Sequence, residues 1–280
     1  MNDSRRATES WIADAAHSRD RVRLPAIVLA GERPGGNALA RAHGLPSSVL
    51  VPVAGTPCVT RVLHALRASR TIDGGLLVGP DEAIAHGEPV FQALLASGDF
   101  RWLAPDAGPS ASALRASAAL HHYPVLLTAA DHALLDAGII DRFVGAALAS
   151  RADFVVGLVP WPTVHARFPY TRRTLLRFAD GAFCGANLFL LRTHAGRAAL
   201  EFWRRLEADR KRPWRMASRI GLGFLARYLT RSMRLATALA HLSARAGCEV
   251  AHVSLDSARA AVDVDSSADL ALAEEVLKHG

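Results

Sequence analysis

A glycine-bearing loop that also carries an arginine follows the first apolar run of the chain. The run is Leu24–Ala30, and the loop continues through Gly31, Glu32 and Arg33 to Asn37. The backbone N–H groups of such a loop can bind phosphate oxygens, and an arginine in it can hold them with two parallel hydrogen bonds. An ordinary Gly/Pro turn is the alternative. The loop does not match G-x-G-x-x-G, so the sequence does not support a nicotinamide-dinucleotide site.

A single carboxylate follows another apolar run. The run Tyr123–Thr128 leads directly into Ala129, Ala130, Asp131 and His132. A carboxylate at the carboxyl end of a central strand is well placed to hold Mg²⁺ against a triphosphate. The alternative is that Asp131 serves only as a helix N-cap or a turn residue. We favour Asp131 over His132 as a metal ligand, because a lone histidine in a loop is more often only polar.

Two further carboxylates lie one residue apart near the end of the chain. Asp263 and Asp265 project from the same face if this segment is extended, since strand side chains repeat every two residues. One of them would then meet the metal opposite Asp131. The structural alternative is that Ser266 or Ser267 caps the following helix, with Asp269 in its first turn.

Apolar strands that alternate with amphipathic helices must position these residues. The predicted strands after the first are Gly75–Gly79, Phe100–Leu103, Tyr123–Thr128 and Asp153–Val159. The predicted helices between them are Pro57–Ser69, Pro89–Ala96, Ser112–His121 and Ile139–Ala149. This alternation predicts an α/β fold with a doubly wound, mostly parallel sheet. Its ligand crevice is expected beyond the carboxyl ends of the strands.

The pattern changes after Pro160. Two strands are predicted at Thr171–Phe178 and Asn187–Arg192, and a later one at Glu249–Val253. The predicted helices are His194–Arg210, Met216–Thr230, Leu235–Arg245 and Ser267–Lys278. We therefore expect a charged extension at 1–23 and one domain at 24–280, with a helical, arginine-rich insertion at about 196–247.

Basic residues are almost all arginine, and they are unevenly distributed. Of the 33 basic residues, only Lys211 and Lys278 are lysines, so a lysine P-loop is excluded. The segment Arg197–Arg245 holds twelve basic and three acidic residues, more than the whole net charge of +7. This regional charge lacks zinc-finger spacing and aromatic-studded basic strands, so we expect no nucleic-acid partner.

The cysteines and the apolar runs indicate a cytoplasmic protein. Cys58, Cys184 and Cys248 are odd in number and scattered, which fits neither a disulfide framework nor a zinc site. The N-terminal region lacks the apolar core of a signal peptide. No apolar run reaches the roughly 20 residues of a membrane span.

Several motifs, in this order, resemble those of one enzyme family. They are LAG-x-R at Leu29–Arg33, VLVPVAG at Val49–Gly55, TAADHALL around Asp131, FCGANLFLLR around Gly185, and D-x-D-S/T-x-x-D-L at Asp263–Leu270. Together they resemble the molybdopterin guanylyltransferase-like (MobA-like) nucleotidyltransferases. The resemblance implies a glycosyltransferase-A or Rossmann-like nucleotidyltransferase fold. It also implies Mg²⁺-dependent transfer of an NMP from an NTP to a small phosphorylated acceptor, with release of pyrophosphate.

The resemblance also implies roles for individual residues. The nucleotide would be bound by Leu29, Ala30, Gly31, Glu32, Arg33, Gly108, Ser110 and Ser112. Arg33 and Asp131 would be catalytic, and Mg²⁺ would be held by Asp131 with Asp263 or Asp265. The acceptor would be bound by Arg172, Arg173, Gly185 and Asn187.

One position departs from the family pattern. Where the family normally has a lysine before the segment Val49–Gly55, this chain has Ser48. That lysine neutralises phosphate charge, and a serine brings no charge. Arg41, Arg172 or Arg173 are candidates to supply it. Two alternatives therefore stay open, namely a catalytically weak or silent nucleotide-binding protein and a glycosyltransferase that uses a nucleotide sugar.

Four arginines in the helical insertion lie at multiples of four residues. Arg215, Arg219, Arg227 and Arg231 form one basic stripe if the helix Met216–Thr230 is continuous. Such a stripe favours peripheral contact with an anionic membrane or a cationic wall for a phosphorylated substrate. A solvated arginine face on a packed helix is the structural alternative.

Overall fold

The computed structural model describes residues 23–32, 35–209 and 212–279, and the side chains of Pro213 and Met216 are not described. Of the expected extension 1–23, only Arg23 is among them. Its Nη2 donates to the carbonyl of Ile72 at 2.9 Å. Arg33 lies outside the described residues.

The strands of the described residues form an eight-stranded sheet and a small hairpin. The sheet strands are β1 Leu24–Leu29, β4 Ile72–Val78, β5 Phe100–Leu103, β6 Val125–Ala129, β7 Phe154–Pro160, β8 Leu176–Phe178, β9 Gly181–Leu191 and β10 Val250–Ser254. The hairpin is β2 Pro52–Val53 and β3 Thr56–Pro57. The sheet order is β10-β7-β9-β6-β1-β4-β5, with β8 paired to β9. All neighbours are parallel except those of β9. The predicted doubly wound, mostly parallel α/β sheet is confirmed.

Helices cover both faces of this sheet. Their bounds are α1 Ala38–Ala42, α2 Cys58–Ala68, α3 Glu82–Gly87, α4 Pro89–Leu95, α5 Pro109–Leu120, α6 Ala137–Ala149, α7 Trp161–Arg167, α8 Arg197–Ala208, α9 Pro213–Ile220, α10 Leu222–Leu229, α11 Leu235–Ala246 and α12 Ser267–Lys278. No described helix is long and apolar enough to cross a membrane.

Neighbouring residues of the central strand β1 enter two separate cores. Val28 packs into the core that includes Val62 of α2 and Phe143 of α6. Ile27 packs into the core on the other face, with Ala113 of α5 and Leu200 of α8. Both faces of β1 are thus buried, which explains why its sequence is apolar throughout instead of alternating.

The register of the central strands brings their carboxyl ends together. Leu29 of β1 lies opposite Val78 of β4 and Ala129 of β6. The ladder continues one residue further, since the N–H groups of Ala30 and Ala130 donate to the carbonyls of Val78 and Leu29, each at 2.8 Å. The loops that follow β1, β4 and β6 therefore leave the sheet side by side.

Several expected elements differ in the structure. The strand expected at Asn187–Arg192 begins earlier, at Gly181. The prediction of a single helix over Met216–Thr230 is wrong, because Gly221, with a φ of +103°, separates α9 from α10. The stripe Arg215, Arg219, Arg227 and Arg231 is therefore not continuous. The strand expected at Thr171–Phe178 begins only at Leu176.

Candidate functional site

The loops after β1 and β4 are in close contact at the carboxyl edge of the sheet, where the ligand crevice is expected. Gly79 has a φ of +87°, and a Cβ built on it would lie 2.8 Å from the backbone nitrogen of Gly31. Only glycine combines this conformation with this approach. A Cβ on Gly31 would in turn lie 3.5 Å from Cβ of Pro105, so the loop after β5 closes the other side. Sequence analysis placed Gly79 only at a strand end.

Glu32 of the glycine loop binds the serine that stands in the lysine position. The hydroxyl of Ser48 donates to Oε1 of Glu32 at 2.7 Å, and the Ser48 backbone N–H donates to the same oxygen. The hydroxyl of the fully buried Ser47 also donates to it, at 2.9 Å. Instead of a lysine, the structure thus places a fixed carboxylate at this point of the loop.

Three arginines are candidates to replace the charge of the lysine, and one of them, Arg41, contacts the glycine loop. Asn37 caps α1, its Oδ1 accepting from the N–H of Leu39 at 2.7 Å. Arg41 lies one turn along this helix, and its Nη1 donates to the carbonyl of Gly35 at 2.7 Å. Its guanidinium is exposed beside the loop, whereas Arg172 is exposed on the segment before β8.

Asp131 lies in the turn after β6, next to the segment that carries Asp263 and Asp265. The N–H of Val264 donates to the backbone carbonyl of Asp131 at 3.0 Å. Val264 is fully buried, whereas Asp263 is partly exposed and Asp265 is exposed. The two carboxylates therefore share the outward face, as expected for an extended segment. Asp131 does not cap α6, because that role belongs to Asp136, whose Oδ1 accepts from Ile139 N–H at 2.8 Å.

Arg173 forms a carboxylate cluster with Asp263 and Asp269. Its Nη1 lies 2.7 Å from Oδ1 of Asp263, and its Nη2 lies 2.9 Å from Oδ1 of Asp269. Only 7% of the Arg173 side chain is exposed. Expected as an acceptor-binding residue, Arg173 instead has its guanidinium held between two carboxylates. No sequence pattern indicates this pairing, because it joins residues about ninety positions apart.

The motif Asp263–Leu270 both caps a helix and contributes carboxylates to this cluster. Ser266 caps α12, accepting from the N–H of Asp269 at 3.3 Å, and Asp269 Oδ2 accepts from the N–H of Ser266 at 3.0 Å. Asp269 thus both closes a capping box and pairs with Arg173. Asp263 lies outside the cap.

His132 lies beneath the cluster as a neutral, buried ring. Burial is the main cause that lowers its pKa from 6.5 to about 4, and the charge of Arg173 acts in the same direction. Asp263 and the carbonyls of Arg259 and Ala260 oppose this shift by raising the pKa. With 1% of its surface exposed, His132 has no open face towards the crevice.

Cys58 at the start of α2 is within electrostatic reach of Asp131. Burial, the larger cause, and the charge of Asp131 together raise the pKa of this thiol from 9.0 to about 12, against a lowering effect of Arg61. Burial likewise raises the pKa of Cys184 to about 11. Both thiols are therefore protonated at neutral pH and are not nucleophiles.

The carboxylates fit a metal ion whose coordination is completed by a ligand. Within the described ranges, no group of three or more His, Cys, Asp or Glu residues is arranged to hold a metal ion. Mg²⁺ is usually bound through only one or two carboxylates, with phosphate oxygens and waters completing its shell. Asp131 with Asp263 or Asp265 matches that donor set.

The segment Gly108–Ser112, expected at the nucleobase, opens helix α5. The hydroxyl and the N–H of the fully buried Ser110 donate to Oε2 of Glu207, the latter at 3.4 Å. A Cβ on Gly108 would lie 2.7 Å from the same carboxylate. Ser112 instead accepts from the N–H of Asp106 at 2.9 Å. Sequence analysis missed Glu207, because only the packing of α8 on α5 brings it here.

Gly185 and Asn187 lie on β9, where its register with β7 shifts. Gly185 is opposite Leu158, close to the carboxyl end of β7, and a Cβ built on it would meet nothing within 4 Å. Asn187 has a φ of +48°, a conformation that asparagine tolerates better than most residues. The two positions belong to the same edge of the sheet as the crevice.

A mostly parallel sheet with helices on both faces is typical of nucleotide-binding proteins, and sequence comparison identifies the family. The chain belongs to the MobA-like NTP transferase domain family, whose sequence model matches residues 26–214. The chain is thus a nucleotidyltransferase-like protein, as the motifs predicted.

Solved structures agree with this family assignment. The chain is similar to a hypothetical transferase from Thermus thermophilus, with 32% identity, a TM-score of 0.73, and coverage of 89% of this chain and 100% of the other.

Two more distant structures show the same fold. A 4-diphosphocytidyl-2C-methyl-D-erythritol synthase from Anaerococcus prevotii is 13% identical, with a TM-score of 0.57 over 92% of this chain and 97% of its own. A 2-C-methyl-D-erythritol 4-phosphate cytidylyltransferase, also from Thermus thermophilus, is 16% identical, with a TM-score of 0.53 over 92% and 100%. Comparison with curated proteins found no match.

Proposed function

We propose that the protein is a Mg²⁺-dependent nucleotidyltransferase that transfers an NMP from an NTP to a small phosphorylated acceptor. The observation that carries the proposal is the hydrogen bond from Val264 to the Asp131 carbonyl. It sets the Asp263 segment beside Asp131 at the carboxyl edge, next to the Gly31 loop. This supports a site in which carboxylates for a metal lie beside backbone amides for phosphates.

The triphosphate binds along the loop after β1. The backbone amides around Gly31 donate to phosphate oxygens, and the close approach of Gly79 keeps side chains out of this part of the crevice. Arg33 holds the β- and γ-phosphates, and Arg41, already in contact with Gly35, supplies the second positive charge. Arginine suits this role because its planar fork binds phosphate with two hydrogen bonds.

The reaction is an in-line substitution at the α-phosphorus. An oxygen of the acceptor phosphate forms the new P–O bond, the bond between the α- and β-phosphates breaks, and pyrophosphate leaves. Bound Mg²⁺ would neutralise the charge that develops on the phosphates. Asp131 with Asp263 or Asp265 would hold that ion, and Arg173 fixes the orientation of Asp263. Catalysis is then positioning and charge neutralisation without a covalent intermediate.

The two substrates enter from opposite sides of the metal site. We assign the nucleobase to the amino end of α5 beside Gly108 and Ser112, where the buried Ser110 is held by Glu207. The acceptor is assigned to the β9 side, where Gly185 leaves open space and Asn187 bends the strand. We assign the acceptor phosphate to the exposed Arg172, since Arg173 is already engaged by carboxylates.

Pyrophosphate release tests this proposal. The full chain is assayed with each of four NTPs against sugar, polyol and cofactor phosphates, with and without Mg²⁺. We expect turnover with at least one pair, lost in Asp131→Asn and retained in the control Asp256→Asn, whose side chain is 87% exposed. No turnover with any pair, or full activity in Asp131→Asn, would overturn the proposal.

A second candidate function is favoured by the contact between Glu32 and Ser48. A carboxylate fixed at the lysine position places negative charge where phosphates are expected. A protein that binds nucleotide without turning it over fits this observation. Calorimetric binding of an NTP together with absence of pyrophosphate release would support it. A gain of activity in Ser48→Lys would show that only the missing charge limits the rate.

A further inference from the structure

Helices α9 and α10 expose large apolar side chains. Trp214 is 70% exposed, Leu222 is 74% exposed and Leu229 is 70% exposed. Large apolar side chains this open to water cost free energy unless another surface covers them. They require an explanation beyond the packing of this domain.

The apolar residues of α10 lie on its outer face. Leu222, Ala226 and Leu229 are spaced by four and three residues, so they share one side of the helix, and all are exposed. The other side anchors the helix. There the ring centroid of Phe224 lies 4.6 Å from that of His241, and the Tyr228 ring lies 5.7 Å from Phe178. The helix is therefore held in place with an apolar face turned outwards.

Positive charge surrounds this face. From Arg212 to Cys248 the sequence has seven arginines and no aspartate or glutamate. Arg219 is paired with Asp209. The exposed arginines that form no ion pair with any described residue are Arg212, Arg215, Arg227, Arg231, Arg234 and Arg245. Loss of the continuous helix at Gly221 leaves this concentration of charge unchanged.

The helices are attached at the same edge of the sheet as the crevice. The turn between β8 and β9 lies beyond that edge, because β9 runs antiparallel to its neighbours. Its Ala179 N–H donates to the carbonyl of Met233 at 2.9 Å, and Oδ1 of Asp180 accepts from Leu235 N–H at 3.0 Å. A surface that covers α9 and α10 would therefore lie near the opening of the crevice.

We propose that the outer face of α9 and α10 is a docking surface for an anionic lipid bilayer. Tryptophan is favoured at the membrane interface, and leucines flanked by arginines are typical of helices that lie in it. Charge argues against a second copy of the chain as the occupant. A two-fold contact would set the arginines of one copy against those of its partner. Anionic headgroups neutralise the same arginines.

Vesicle co-sedimentation tests the proposal with the full chain. Phosphatidylcholine vesicles are compared with vesicles in which one quarter of the lipid is phosphatidylglycerol, at low and high salt. We expect binding to the anionic vesicles only, weakened by salt. Because each arginine near such a surface is worth about a fivefold change in affinity, Arg227→Gln/Arg231→Gln should weaken binding by roughly 30-fold. Arg101→Gln/Arg151→Gln, with two exposed arginines elsewhere, is the charge-matched control.

The apolar contribution is tested separately. Leu222→Ser/Leu229→Ser should abolish binding at high salt, whereas Tyr170→Ser, at a side chain 96% exposed outside this face, should leave it unchanged. The anionic vesicles should also shift the tryptophan emission to shorter wavelength, and Trp214→Phe should remove that shift. Equal loss of binding in the control variants would overturn the proposal. Absence of binding to the anionic vesicles would also overturn it, and a dimer in sedimentation that Leu222→Ser/Leu229→Ser dissociates would then identify a second copy as the occupant.

Discussion

Arg173→Met tests the carboxylate cluster without requiring any knowledge of the substrate. The substitution keeps an extended side chain in place and removes the charge that Asp263 and Asp269 share. It leaves two carboxylates without their cation, and it removes the hydrogen bond that Nη1 donates to Asp263. We therefore expect the free energy of unfolding to fall.

The size of this loss follows from how deeply the three groups are buried. The exposed fractions of the side chains are 7% for Arg173, 32% for Asp263 and 15% for Asp269. Removing one partner of a fully buried ion pair costs about 3–5 kcal/mol, because the remaining charge stays buried. Asp263 keeps contact with water, so we expect the lower end, about 3 kcal/mol. At roughly 2–4 °C per kcal/mol for a domain of this size, Tm should fall by roughly 6–12 °C.

Urea unfolding monitored by circular dichroism measures the effect. Arg70→Met is the matched control, because Arg70 pairs with Asp141 through a guanidinium that is 68% exposed. Although the Asp141 side chain is only 12% exposed, it keeps its hydrogen bonds from Ser69 and Thr71 when Arg70 is replaced. We therefore expect the loss of this pair to cost about 0–1 kcal/mol, as for an ion pair with a water-exposed partner. Arg173→Met/Asp269→Asn should recover part of the loss, since one of the two unbalanced carboxylates is then neutral. If Arg173→Met loses no more stability than Arg70→Met, the cluster is not the buried charge network described above.

Three other substitutions or conditions give direct outcomes. Gly79→Ala should lower the free energy of unfolding by about 2–3 kcal/mol, because the new Cβ meets the Gly31 backbone at a positive φ. The control Gly145→Ala in α6, where nothing lies within 4 Å of the new Cβ, should raise it by about 0.5–1 kcal/mol. Equal effects of the two substitutions in thermal unfolding would contradict the close approach. His132, with its pKa lowered to about 4, is neutral in the folded chain while an unfolded chain takes up a proton below about pH 6.5. The stability that neutral His132 contributes is therefore complete above pH 6.5 and falls by up to about 3 kcal/mol towards pH 4. His132→Gln should flatten this part of the plot of unfolding free energy against pH, measured by urea unfolding. An unchanged slope in the variant would refute the prediction. Cys58, Cys184 and Cys248 are buried and free, so a thiol reagent at pH 8 should label them only in denaturant; rapid labelling of the native chain would show that they are accessible.

The central sheet could be predicted because its strands are buried on both faces. Continuous apolar runs such as Leu24–Leu29 and Val125–Ala129 are distinctive in a chain of this composition. Their order in the chain then fixes which loops meet at the carboxyl edge. Local signals were also sufficient for the cap at Ser266, where the serine and Asp269 are only three residues apart.

The contacts that define the site could not be predicted, because they join distant residues. Arg173 meets Asp263, and Glu207 meets Ser110, across separations of about ninety residues or more. No periodicity encodes such pairs, which depend on how β9 and α8 pack. The break at Gly221 is a different case, since an isolated glycine in a helical pattern does not show whether it breaks the helix.

The segment after β10 belongs to the folded unit although it lies beyond the region that the family model matches. The matched region ends at residue 214, but Asp263, its partner Asp269 and the hydrogen bond from Val264 all come later. A fragment that ended at residue 214 would keep the glycine loop and Asp131 and would lose Asp263, Asp265 and Asp269. It would also lose β10, so β7, with its apolar residues Phe154–Pro160, would become an open sheet edge. Such an edge pairs readily with other chains, and the shortened protein should aggregate when it is expressed.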